Sequence, residues 1–106
     1  MASNEEMYDE ADKLKEQGDL EGAVAKLNEL VAQDPNYALA HSALARFYTR
    51  MRRHDEAIRH AVKVCQLEPN DSFSYTALSV TYQQAGRIQE AEDAKARAHM
   101  LSGHQH

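Results

Sequence analysis

The sequence predicts an all-α protein in which one two-helix unit is repeated three times. Three segments resemble one another at a constant offset of 34 residues. They are 18–23, 52–57 and 86–91. Apolar residues recur at spacings of three and four, as in Leu44, Phe47 and Met51, and this spacing is typical of one helix face. Ala, Glu, Leu and Lys are abundant and there are only four Gly and two Pro, so the composition also favours helices.

Each unit divides into two helices at a short break. Gly18 and Gly86 lie at two of these breaks, and glycine readily adopts the left-handed conformation that ends a helix. Pro35 and Pro69 lie near the ends of the first and second units. Proline cannot continue a helix, so these residues are expected to separate the units. The helical spacing resumes after every break. The predicted helices, in chain order, are 4–17, 20–33, 38–51, 54–67, 72–85 and 88–101.

Each of these helices is supported by apolar or small residues at equivalent positions. The helices before the breaks correspond to one another at the 34-residue offset, which also separates Tyr48 from Tyr82. The helices after the breaks have apolar spacing of their own, as in Leu20, Val24 and Leu27. Small residues recur where two helices of a unit are expected to cross closely, because a larger side chain would separate the backbones. They are Ala11, Ala45, Ser79, Ala23, Ala57 and Ala91.

Length, charge and cysteine content exclude several classes of protein. At 106 residues the chain has the size of a single domain, 1–106. The net charge of −5 argues against nucleic acid as a partner, because phosphate binding needs an excess of Lys and Arg. Cys65 is the only cysteine, so no intrachain disulfide is expected. The sequence contains neither a secretory signal nor an apolar run long enough to span a membrane, and the expected location is the cytoplasm.

The repeated unit resembles the tetratricopeptide repeat family. That family has a 34-residue period with small residues at unit positions 8 and 20, Leu at 7, Tyr at 11 and Pro at 32. With units of approximately 4–37, 38–71 and 72–105, the resemblance covers nearly the whole chain, and 102–106 is expected to be a flexible tail. The departures are Met7, His41 and Tyr75 where the family favours Trp, Glu10 at the Leu position and Gly103 at the Pro position. The resemblance implies a right-handed superhelical α-solenoid of three helix-turn-helix units, with six or seven helices and a concave groove lined by the first helix of each unit.

The terminal units have polar residues where the middle unit has apolar ones. In the third unit, polar residues stand where the earlier units have an apolar outer face: Glu92, Lys95 and His99. In the first unit, Glu10 and Lys13 stand where the second unit has apolar residues. Terminal repeats of a solenoid need such polar faces because no neighbour covers them. We therefore expect three units to form a complete soluble protein.

The resemblance implies that the groove is the working surface, and the protein is expected to be a protein-protein interaction module, an adaptor or scaffold. The groove positions are Tyr8, Asp12, Leu39, Ser42, Arg46, Thr49, Arg50, Phe73, Thr76, Val80 and Gln83. Arg46 and Arg50 are one helical turn apart and can hold a carboxylate of a partner through charge-assisted hydrogen bonds. In the alternative interpretation they pair with Asp12 or Glu16 across the groove.

Three of these positions are apolar where a merely solvated surface needs no apolar residue. Leu39, Phe73 and Val80 are therefore candidate anchors for a side chain of a protein or peptide partner. In the alternative interpretation these three residues pack against neighbouring helices.

Some tetratricopeptide proteins hold the C-terminal tail of a chaperone with a Lys, Asn, Asn, Lys, Arg clamp. The corresponding residues in this sequence are Tyr8, Asp12, Ala43, Phe73 and Ala77. None of the five matches, and Asp12 would repel a carboxylate. A chaperone tail is therefore an unexpected partner for this chain.

Other functions have less support in the sequence. A homodimer formed through the groove or the terminal helices would bury the same apolar residues without a foreign ligand. His104 and His106 in the tail can bind a metal ion weakly, but two ligands make an incomplete site. Cys65 occupies an apolar helical position and is expected to be a buried hydrophobe. Because the sequence contains no catalytic motif or phosphate loop, neither enzymatic activity nor a cofactor or metal is predicted.

Overall fold

The computed structural model describes residues 2–103, and this part of the chain consists of six α-helices without a β-strand. The helices are α1 (Asn4–Glu16), α2 (Leu20–Gln33), α3 (Ala38–Arg50), α4 (His54–Leu67), α5 (Ser72–Gln84) and α6 (Ile88–Gly103). Each helix begins at the predicted residue. The first helix of each pair ends one residue earlier than predicted, because its last predicted residue is the C-cap. The last helix extends to Gly103, and His104 to His106 of the predicted tail lie outside the described residues.

The helices pack as three consecutive pairs that stack on one another. α1 packs on α2, α3 on α4, and α5 on α6, while α2 contacts α3 and α4 contacts α5. α3 and α5 also touch directly, so the first helices of the second and third pairs form one continuous surface. The all-α helical repeat fold predicted from the 34-residue period is therefore confirmed.

The turns within the pairs share one backbone conformation. Gly18 and Gly86 have φ values of +84° and +78°, the left-handed conformation predicted for the glycines that end helices. Arg52 occupies the equivalent position of the middle pair with φ of +61°. A residue with a Cβ is disfavoured in this conformation, so the middle pair makes the same turn at a higher conformational cost.

Local hydrogen bonds define several helix starts. The Ser3 hydroxyl accepts a hydrogen bond from the Glu6 amide and the Glu6 side chain accepts one from the Ser3 amide, which is a complete capping box. Asp19 caps α2 and Asp71 caps α5. The start of α4 has no side-chain cap, and the side chain of Arg53 instead pairs with Glu56.

The core divides into two clusters of different composition. The first lies among α1 to α4 and contains Leu27, Leu30 and Leu44, all fully buried. The second lies among α3 to α6 and consists mainly of Ala, with Cys65 and Leu78. All six small residues predicted at helix crossings are buried or nearly so. Those residues are Ala11, Ala23, Ala45, Ala57, Ser79 and Ala91.

Candidate binding groove

A concave groove of about 900 Å³ lies between α3 and α5, above α4. Both walls are first helices of their pairs, and the α4–α5 turn closes one end. The residues that line the groove are Ala38, Leu39, Ser42, Ala45, Arg46, Thr49, Arg50, Ala61, Val64, Glu68, Asp71, Phe73, Ser74, Ala77, Val80, Thr81 and Gln84. The lining is predominantly apolar, and four charged side chains interrupt it.

The α3 wall carries two cations. Leu39, Ser42, Arg46, Thr49 and Arg50 follow one another at spacings of one, three and four, which places all five on the groove side of the helix. Both arginines are exposed, and neither forms an ion pair with any of residues 2–103. The alternative in which they pair with acidic residues across the groove is therefore not found in the part of the chain that the structure describes.

Both walls expose large apolar side chains. Leu39 is 59% exposed, Phe73 is 81% exposed and Val80 is 49% exposed. The alternative interpretation, in which these residues pack against neighbouring helices, does not agree with this exposure. Leu39 and Phe73 occupy equivalent positions in the first turns of α3 and α5, so both lie at the same end of the groove.

The floor of the groove is formed by small residues. Ala61 and Val64 of α4 are buried beneath it, and Ala45 and Ala77 flank them on the walls. The sequence-based list of groove residues contained only first-helix positions and therefore missed the contribution of α4. The sequence does carry a signal for Ala61 and Val64. Small and apolar residues on one face of a second helix lie between the first helices that flank it.

Four of the predicted groove residues do not line this cavity. The Asp12 carboxylate pairs with Lys15 on its own helix at 2.9 Å. The Tyr8 ring is half-buried and lies 6.4 Å from the ring of Tyr37, between centroids. Thr76 and Gln83 are exposed on α5, outside the lining. The cavity therefore joins the second and third pairs and does not include α1.

A pair of histidines connects α3 to α4 outside the groove lining. His41 Nδ1 lies 2.9 Å from His60 Nδ1, and His41 Nε2 lies 2.7 Å from the Pro35 carbonyl oxygen. Since a carbonyl oxygen only accepts, His41 donates from Nε2 and its Nδ1 accepts the proton of His60 Nδ1. The Tyr48 ring stacks on His60 at 5.8 Å between centroids. The spacing of residues along one helix does not reveal this contact, because it joins two helices of one unit.

The environment of this pair affects its protonation. Burial, with a smaller contribution in the same direction from the neighbouring His41 and Arg59, lowers the pKa of His60 to about 4. The neutral imidazole is therefore the form that the folded protein favours. Burial also raises the pKa of the Cys65 thiol to about 11, which agrees with its predicted place as a buried hydrophobe.

The arrangement of the described residues also bears on metal binding and on membrane spanning. Within residues 2–103, no three or more His, Cys, Asp or Glu side chains come together in a way that could hold a metal ion. The His104 and His106 ligands suggested by the sequence lie outside the described residues. Among the described helices, none combines the length and apolar character required to cross a membrane.

The fold and groove define a class: a helical repeat protein whose first helices form a concave surface. The tetratricopeptide repeat model matches residues 14–61, and the 34-residue period extends over all three helix pairs. The match over residues 14–61 and the shared fold of solved tetratricopeptide structures support a place in the tetratricopeptide repeat family. No curated protein sequence matches it significantly.

Solved structures of tetratricopeptide proteins share the fold at low sequence identity. A crystal structure of MamA matches with a TM-score of 0.88 and 23% identity, covering 97% of this chain and 60% of the MamA chain. MamA from Desulfovibrio magneticus RS-1 matches with a TM-score of 0.82 and 20% identity, covering 93% of this chain and 56% of that one. The second tetratricopeptide domain of Spaghetti (RPAP3), bound to the HSP90 peptide SRMEEVD, matches with a TM-score of 0.81 and 18% identity, covering 92% and 91% of the two chains.

Proposed function

We propose that the protein is a cytoplasmic adaptor or scaffold that binds a protein or peptide segment in the groove between α3 and α5. The observation that carries the proposal is the exposure of Leu39, Phe73 and Val80 around a concave surface of about 900 Å³. Apolar side chains grouped in a concavity mark binding sites, because an isolated soluble surface gains nothing by exposing them. The structural neighbour with a bound peptide supports this use of the fold.

The partner is not expected to be a chaperone tail. The neighbour that binds the HSP90 peptide is 18% identical to this chain, which is a likeness of fold. Of the five residues at the clamp positions of this chain, Ala43 is buried and Asp12 is paired with Lys15. Neither can contribute a hydrogen-bond donor to a terminal carboxylate at these positions, so a partner other than a chaperone tail is proposed.

A groove-filling variant with a matched control tests the proposal. Ala77 lines the groove and is exposed, and Ala96 is also exposed but lies on α6, outside the groove lining. Ala77→Trp fills the groove and Ala96→Trp adds the same side chain elsewhere. Proteins captured from a lysate of the source cell by the wild type and by Ala96→Trp should be lost with Ala77→Trp, while circular dichroism melts of the three proteins coincide within a few degrees.

A homodimer through the groove would bury the same apolar side chains, so mass in solution must be measured alongside. Light scattering over a concentration series separates the two possibilities. A monomer that captures specific proteins in the Ala77-dependent manner supports the adaptor. A tight dimer that Ala77→Trp dissociates, and that captures nothing, supports self-association. Capture that is identical for the wild type and both variants would show that the groove is not the binding surface.

A further inference from the structure

The charged residues of the groove are distributed unevenly along its length. Glu68 and Asp71 belong to the α4–α5 turn, next to the start of α5, whereas Arg46 and Arg50 lie in the second half of α3. Because α3 and α5 are equivalent helices of successive repeats, they run in the same direction. One end of the groove is therefore anionic and apolar, and the other end is cationic.

The acidic residue nearest the apolar end is already engaged in the fold. The Asp71 carboxylate accepts a hydrogen bond from the Phe73 amide at 3.0 Å and another from the Ser74 hydroxyl at 3.0 Å. In contrast, Arg46 and Arg50 make no side-chain hydrogen bond or ion pair with residues 2–103, although Arg46 lies 5.9 Å from the Phe47 ring centroid. The cationic end therefore has two guanidinium groups whose donors are free for a carboxylate.

We propose that the groove binds an extended, acidic segment of a partner protein in which a large apolar side chain lies three to five residues from a carboxylate. This rests on the proposed function and adds the chemistry of the partner. The apolar side chain packs between Leu39 and Phe73, and the carboxylate is held by Arg46 and Arg50.

The spacing follows from the geometry of the α3 wall. Leu39 precedes Arg46 by seven residues and Arg50 by eleven, which correspond to about 10 Å and about 16 Å at the rise of an α-helix. An extended chain advances about 3.3 Å per residue. A segment that reaches from Leu39 to the arginines therefore needs about three to five residues between its anchor and its carboxylate.

The polar groups of the groove lining favour an extended segment over a helix. A helix already pairs its backbone amides and carbonyls internally. An extended segment leaves its backbone amides and carbonyls available to polar groups such as Ser42, Thr49 and Gln84, which line the same surface.

The recognition also differs from a terminal carboxylate clamp. Arg46 and Arg50 do not occupy any of the five clamp positions, which are Tyr8, Asp12, Ala43, Phe73 and Ala77 in this chain. An Asp or Glu side chain within a segment presents the same carboxylate as a chain terminus. An internal segment of the partner is therefore sufficient.

Selection from a random peptide library tests the proposal. Peptides of about twelve residues, long enough to span the groove when extended, are displayed with the C-terminal end fused to the carrier so that no terminal carboxylate is free. They are selected on the wild type and on three variants: Arg46→Gln/Arg50→Gln, Leu39→Ser/Phe73→Ser and Ala77→Trp. Lys95→Gln, which removes an exposed charge from α6, is the matched control. Selected peptides are then synthesised and their affinities measured by fluorescence anisotropy.

The expected peptides carry Asp or Glu three to five residues from Leu, Ile, Met or Phe. Their affinity should fall about tenfold or more in the arginine variant and with increasing salt, and should be unchanged in Lys95→Gln. Peptides that depend on Leu39 and Phe73 but lack an acidic residue, or that show helical spacings of seven and eleven, would overturn this inference and leave the groove function intact. No enrichment over Ala77→Trp would overturn both. A concentration-dependent dimer that the arginine variant dissociates would identify a second copy of the chain as the occupant of the groove. That result would also overturn the inference of an acidic partner segment.

Discussion

The N-terminal and C-terminal halves of the core are built from different side chains at equivalent positions. The cluster among α1 to α4 has three fully buried leucines, whereas the cluster among α3 to α6 consists mainly of alanines with Leu78 as its largest aliphatic residue. Polar side chains are also buried in α5, among them Ser74 and Thr81. Because stabilisation scales with the apolar area removed from water, the third repeat is expected to be the less stable part of the solenoid. The α5 wall of the groove belongs to this third repeat.

The largest expected effect comes from truncating the equivalent leucines of α3 and α5. Leu44 is completely buried and Leu78 is 7% exposed in the smaller cluster. Leu44→Ala should lower the free energy of unfolding by about 3–4 kcal/mol, and Leu78→Ala by about 2 kcal/mol, because the lost contacts and the cavity are larger at Leu44. Urea denaturation of both variants measures the difference. Equal losses would remove the distinction between the two halves.

Enlarging the equivalent alanines at the helix crossings should give a smaller difference of the same sign. Ala57 is completely buried and Ala91 is 7% exposed. Ala57→Leu is expected to cost about 2–3 kcal/mol through overpacking, and Ala91→Leu about 1 kcal/mol, since the terminal pair has space to adjust. Thermal melts followed by circular dichroism report both. A melting temperature of Ala57→Leu equal to that of the wild type would contradict the close crossing.

The histidine pair gives the middle repeat a pH dependence of its own. Burial lowers the pKa of His60 from 6.5 to about 4, so the folded protein binds this proton less well than the unfolded chain. The stabilisation is complete above about pH 6.5 and is lost as the pH falls towards about 4. With allowance for partial solvent exposure, the loss is about 1–2 kcal/mol.

His60→Gln isolates this contribution, because the amide still donates a hydrogen bond to His41 but does not titrate. The variant should lose less stability than the wild type between pH 6.5 and pH 4 in urea denaturation. His99→Gln, at an exposed position of α6, is the control and should follow the wild type. Parallel losses in the wild type and His60→Gln would show that other groups cause the pH dependence.

The smallest expected effect concerns the turn of the middle repeat. Arg52 has φ of +61°, whereas Gly18 and Gly86 occupy the equivalent turns. Arg52→Gly should raise the free energy of unfolding by about 0.5–1 kcal/mol, because relief of the left-handed backbone exceeds the added entropy of the unfolded chain. Gly86→Ala should lower it by about 1 kcal/mol through strain alone, since an added Cβ meets no atom within 4 Å. If Arg52→Gly lowers stability, the side chain of Arg52 makes a contribution that outweighs its backbone strain.

Most of the candidate groove could be predicted because the resemblance to the tetratricopeptide repeat family implies which positions of each first helix face the concave side. Seven of the eleven predicted residues line the cavity, including Leu39, Arg46 and Phe73. Tyr8 and Asp12 do not, because the first pair contributes no wall to this cavity. Ala61 and Val64 were missed because a list restricted to first helices cannot include a floor formed by a second helix.

The sequence by itself determined the elements and their order. Local preferences act within a few residues, so the 34-residue period, Gly18, Gly86 and Pro35 fixed where helices begin and end. Only the tertiary structure decided which side chains remain free. Whether Arg46 pairs across the groove, and whether His41 meets His60, depends on distances between different helices. The side chains packed between the helices set those distances. The 34-residue period alone gives no information about them.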